Sequence, residues 1–128
     1  MEVEKIKEMY VKYSLNKSDV YKHQHYVILT RSGIEKVMAL EQIDITYEVI
    51  KCEPNFAVIK ATATGRYDSV QSYGSATKGK HPDGNVSHAY LVEMSEKRAK
   101  ARAVLKLCGA YKHGVYSEDE SEEFKQES

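Results

Sequence analysis

The chain has 128 residues, enough for one compact domain with its own core and too few for two. No run of about 18 apolar residues occurs, so no helical membrane span is expected. The N-terminal MEVEKIKEMYVKY lacks the apolar centre of a signal peptide. Net charge is zero, but unevenly distributed: residues 1–115 carry 18 Lys and Arg against 13 Asp and Glu, and residues 116–128 carry six acids against Lys125 alone. A basic body with an acidic tail fits nucleic-acid binding, with solubility the plainer role for the tail.

In chain order, Val3, Ile6, Met9, Tyr10 and Tyr13 recur at helical spacing and predict a docking helix over 2–13. Residues 14–25 show no period and read as a loop. His23 and His25 form an HxH pair there, but no third ligand set accompanies them, so a polar loop is expected and not a metal site. Tyr26–Thr30 reads as a buried strand. Ser32-Gly-Ile-Glu35 matches a capping box and opens a helix to about Gln42.

Ile43–Cys52 alternates apolar and polar residues and predicts a strand with one buried face. Phe56–Thr64 and Arg66–Tyr73 follow after short turns, giving an antiparallel meander with Tyr67, Ser69, Gln71 and Tyr73 on one side. Residues 74–86 read as an exposed loop with Lys78 and Lys80. Residues 87–114 read as one long helix closed by Gly109, and 117–128 as a disordered acidic tail. The fold class expected is α+β: a β-β-β-α core, preceded by a helix and a short strand-helix unit, as one domain over 1–116.

The long helix carries the most chemistry. At about 100° per residue, Arg98, Arg102 and Lys106 fall within one stripe about 80° wide. Ala99, Ala103 and Leu107 form a small-residue stripe beside it, and Met94, Ala101, Leu105 and Cys108 flank its other side. No acid follows Glu96 until Glu118, so the cations lack i+4 partners of opposite sign. Tyr67, Tyr73, Tyr90, Tyr111 and Tyr116 surround the same region and suit either core packing or base stacking.

Motifs of hydrolases, zinc proteases and nucleotide-binding loops are absent, and GSATKG at 74–79 lacks the strand-loop-helix grammar of a phosphate loop. The two cysteines, Cys52 and Cys108, form no CxxC pair and fit incidental thiols. A nuclease would need a metal cluster, for which His81, Asp83 and His88 are the nearby candidates. The chain is read as a non-enzyme with no cofactor and no metal.

The order YVILTRSGIEKVMALEQ, three strands, SYGSATKGK and EKRAKARAVLKLCG resembles the DNA-binding core of the Rad-fifty-two-like single-strand annealing family, phage recombination annealases included. The resemblance spans about Tyr26 to Tyr116. It implies a β-β-β-α core that assembles into rings or helical arrays, with single-stranded DNA in a basic groove between sheet and helix. Carried over by position, Arg102 and Lys106 would hold the phosphate backbone, with Arg98 on the same stripe. Lys78 and Lys80 would form a second basic contact and Arg31 another.

The function expected is sequence-independent binding and annealing of single-stranded DNA in recombination and repair. Expected partners are single-stranded DNA, further copies of the chain, and a replication or recombination protein met through the tail. The compartment expected is the cytoplasm of a bacterial or phage-infected cell. The HPDG loop and the acidic tail lie outside the family pattern. The alternative is a non-enzymatic adaptor that docks its basic helix on an acidic partner.

Overall fold

A computed structural model describes residues 3–23, 26–78 and 91–119. The fold is α+β. Its elements are α1 (Val3–Lys12), β1 (Val20–His23), β2 (Tyr26–Leu29), α2 (Arg31–Glu41), β3 (Asp44–Glu53), β4 (Phe56–Thr64), β5 (Ser69–Thr77), α3 (Leu91–Cys108), a 3-10 turn (Ala110–His113) and β6 (Val115–Ser117). No helix among the described residues is long and apolar enough to cross a membrane.

The expected meander is present, with order β3-β4-β5 and antiparallel pairing throughout. A second, mixed sheet orders β1-β2-β6, with β1 antiparallel and β6 parallel to β2. Its outer strands fall in a segment read from sequence as loop, residues 14–25, and at the expected boundary between the domain and the tail. They are only four and three residues long, too short to show a period of two. The central strand explains its own apolar run: Val27, Ile28 and Leu29 are all buried.

Helix α3 lies between the meander and the N-terminal elements and is buried on most of its circumference. On the meander side, Ala57, Ala61, Ala63, Gly74 and Ala76 meet Ser95, Ala99 and Ala103, all of them small and buried. A Cβ built on Gly74 would lie 2.3 Å from both Ala99 N and Ser95 O. Glycine is therefore the residue that lets the helix backbone touch the strand. Ser95 Oγ completes the contact, its single proton shared between Leu91 O at 2.7 Å and Ala57 O at 3.1 Å. The expected loop at 74–77 is thus the end of β5, where glycine marks a close approach and not a turn. Gly109 ends α3 in the left-handed region at φ 71°, as expected.

Two further expectations change. Tyr67 lies in the β4–β5 turn, 94% exposed, ahead of β5 and not on it. The cap of α2 is Thr30, whose side chain accepts from Gly33 N. Ser32 instead donates from Oγ to Asp19 Oδ1 at 2.6 Å, and Glu35 pairs with Lys100. Asp19 outcompetes the expected capping box because it also accepts from Lys36 Nζ at 2.6 Å and from Asn16 N at 2.9 Å. This buried carboxylate ties the start of β1 to α2.

Two outcomes follow from this packing. Gly74→Val should destabilise the fold by about 3 kcal/mol or more, read as the shift of a urea unfolding curve, because backbone on both sides of the new Cβ must separate. Hydrogen bonds from Lys36, Ser32 and Asn16 lower the pKa of Asp19 from 3.8 to about 2. A depressed carboxylate pKa stabilises the fold above the unfolded value, and the contribution disappears as the pH falls from about 4 toward about 2. Asp19→Asn should flatten the stability profile across that window in a pH series of thermal melts.

Candidate nucleic-acid interface

β5 is an edge strand of the meander, so alternate residues turn their carbonyls away from β4. Three of those carbonyls receive the cationic stripe of α3. Arg98 NH1 donates to Ser75 O at 3.0 Å, Arg102 NH1 to Tyr73 O at 3.0 Å and Lys106 Nζ to Gln71 O at 3.2 Å. The match is metrical. Four helical residues advance about 6 Å, and two strand residues advance about 6.8 Å in the opposite sense. The stripe therefore covers an edge that would otherwise expose unpaired backbone.

The three cations differ in what they leave free for a ligand. Arg98 is 3% exposed, and its Nε also donates to Asp119 O at 2.9 Å. Helical spacing makes it equivalent to Arg102 and Lys106, but the chain after β6 folds over it. Arg98 is a buried structural residue, which corrects its placement on a DNA-facing stripe. Arg102 is half-buried and Lys106 exposed. Each commits one hydrogen bond to β5, and a guanidinium carries five N–H donors and an ammonium three.

Arg31 stands at the first residue of α2. Its Nε and NH2 donate to the Asp119 carboxylate at 3.0 to 3.3 Å, and its backbone N–H donates to Glu118 Oε1 at 2.9 Å. The tail boundary expected after 116 thus falls inside β6, and Ser117 and Asp119 are buried. Arg31, Asp119, Arg98 and Ser75 form a continuous polar seam that leads onto the Arg102–Lys106 ridge. Lys78 is exposed just beyond β5, with its N–H on Asn55 O at 2.8 Å. Lys80, Tyr90 and the candidate ligands His81, Asp83 and His88 lie outside the described residues, as does His25.

The meander face away from α3 carries Tyr73 and Gln71, which the sequence reading set on one side of their strand, together with Lys60, Phe56 and Thr62, which it did not single out. Register places Tyr73 opposite Lys60, and Lys60 opposite Glu48, which pair at 3.5 Å. Tyr73 is 50% exposed and adjoins Arg102 through its own carbonyl. Phe56, Thr62, Gln71 and Thr77 lie on the same face. The available signal was the alternation within Phe56–Thr64, which leaves Phe56, Val58 and Lys60 opposite the buried alanines. Of the other tyrosines, Tyr116 packs edge-on against Tyr26 at 5.1 Å and at a tilt of 53° against Tyr111 at 5.5 Å, a packing role.

A separate cleft of about 460 Å³ lies between Leu40, Glu41, Arg66, Tyr67, Leu107 and Cys108. Burial pushes the Cys108 thiol up to about 11, so it stays protonated at neutral pH and is a poor nucleophile. Among the described residues no His, Cys, Asp and Glu group is arranged to hold a metal. The chain matches no family model, no curated protein and no solved structure.

The geometry separates two kinds of cation, and unfolding experiments should too. Arg98→Met should cost about 3 kcal/mol, because it leaves the buried carbonyl of Asp119 and the half-buried carbonyl of Ser75 without this donor. Arg102→Ala and Lys106→Ala should each cost about 1 kcal/mol or less, because water replaces their bonds to β5. Chemical denaturation of the three variants measures the contrast.

Proposed function

We propose that this protein binds single-stranded DNA without sequence preference, and that it promotes annealing of complementary strands as part of a homo-oligomer. The observation that carries the reading is the ridge along the β5 edge. Arg102 and Lys106 stand one turn apart with donors to spare, next to an exposed Tyr73 and an open polar sheet face. Phosphates would follow the ridge and Lys78, while bases would stack on Tyr73. Neutralising phosphates supplies affinity that does not depend on sequence, and it makes binding sensitive to salt.

Annealing needs no catalytic group. It needs strands held extended with base edges free, and a row of such ridges in an oligomer would multiply a weak single contact. The resemblance to single-strand annealing proteins supports the same reading. It also suggests a role in recombination and a cytoplasmic setting. This reading puts the strand elsewhere than in the groove between sheet and helix that the resemblance implies. The sheet and α3 touch through Gly74, which leaves no room between them, so the strand would run along the sheet edge and its open face.

The double variant Arg102→Ala/Lys106→Ala should abolish the mobility shift of a labelled oligonucleotide at low salt while leaving the circular dichroism unchanged. With about three phosphates neutralised, the wild-type log–log salt slope should be about −2. Unaltered binding by the folded double variant would remove the ridge from the site.

A further inference from the structure

The two edges of the meander are treated differently. β5 is covered by Arg98, Arg102 and Lys106, whereas β3, ten residues long, is exposed along almost all its length. At its centre stand three large apolar side chains in water: Tyr47 is 40% exposed, Val49 58% and Ile50 47%. Among the described residues nothing pairs with this edge, and an edge with an apolar centre and no proline is a template for another strand. We propose that β3 pairs antiparallel with β3 of a second copy of this chain, about a two-fold axis between Val49 and Ile50. The contact would join two meanders into one sheet of six strands.

The register of the chain's own pairing supports this occupant. A bulge between Val49 and Lys51 leaves Ile50 without a partner on β4. The extra residue reverses the alternation of faces along β3. Glu48 and Lys51 therefore lie on the same, open face, opposite Lys60 and Val58. Tyr47 and Cys52 likewise share the face of the buried Ala61 and Ala57. An axis at the bulge sets Glu48 against the partner's Lys51, Tyr47 against the partner's Cys52 and Thr46 against the partner's Glu53. Every pair is matched in face, as an antiparallel ladder requires. Without the bulge, no such axis would bring Glu48 onto the face of the partner's Lys51.

The charge match occurs twice because a two-fold contact is self-complementary. The centre buries Val49 and Ile50 of both copies. The open faces of the two meanders come to lie on one side of the joined sheet, with the Arg102–Lys106 ridges at its two outer edges. This contact does not rest on the DNA reading, and the experiment that tests it contains no DNA.

Sedimentation velocity of the full chain, without oligonucleotide and in the upper micromolar range, should show a two-chain species. Val49→Lys or Ile50→Lys should weaken the dimer by about tenfold or more, and circular dichroism should report a retained fold because both positions are exposed. Glu48→Lys should weaken it similarly, and the exchange Glu48→Lys/Lys51→Glu should recover the dimer. A monomeric wild type overturns the proposal, as does an oligomer indifferent to both lysine variants. A charge exchange that stays as weak as the single variant overturns the two-fold register.

Discussion

Helix α3 lies where a side chain at position 74 would be, and the arrangement of the rest of the molecule follows from that contact. Backbone against backbone requires small residues on both partners, which the sheet supplies as Ala57, Ala61, Ala63 and Ala76 and the helix as Ser95, Ala99 and Ala103. A helix held this close cannot send long side chains downward. Its long residues leave at the margin of the contact, and that margin is the β5 edge. The row of cations is thus a geometric consequence of close packing as well as a source of charge. It also answers a backbone need, since an edge strand offers carbonyls that are otherwise met only by water.

Much of this was legible in the sequence, in proportion to the length of each pattern. The meander strands carry nine or ten residues each, long enough for alternation to show, and β4 was bounded correctly at Phe56 and Thr64. The two apolar stripes of α3 were also visible, because they follow from helical spacing alone. Short elements were not. β1 and β6 become strands only because β2 lies between them, a tertiary cause that a local window does not contain. Ser32 shows the same limit. Its spacing to Glu35 satisfies a capping rule, yet Asp19, thirteen residues upstream, offers a better-placed charged acceptor.

Arg98 illustrates why the candidate site was only partly legible. Helical periodicity sorts residues by angle and is blind to position along the axis. Arg98, Arg102 and Lys106 share a stripe, but only the first lies under Asp119, which Arg31 helps to hold from α2. The acidic residues that open the tail therefore contribute to the fold at this point. Glu118 and Asp119 place negative charge at the start of α2, where the helix dipole favours it and where Arg31 alone would oppose it. Composition registers these acids as part of a tail, whereas in the structure the Asp119 carboxylate is the counter-charge of Arg31 and its backbone carbonyl accepts from Arg98.

In the proposed reading, the remaining cations would suit a polyanion through the same bonds that occupy them. A free lysine or arginine on a surface loses side-chain entropy when it grips a phosphate, a cost that weakens exposed ion pairs generally. Arg102 has already lost much of that freedom, because Tyr73 O fixes one end of its guanidinium. That bond holds the guanidinium at the sheet edge, and such preorganisation would raise affinity for an anion without adding contacts. Lys106 is anchored in the same way, one helical turn on. The two anchors lie about 6 Å apart along the helix axis. An edge-covering ridge and a phosphate-binding ridge therefore make the same demand on sequence: cations every fourth residue of a helix whose neighbouring face is too small to hold them.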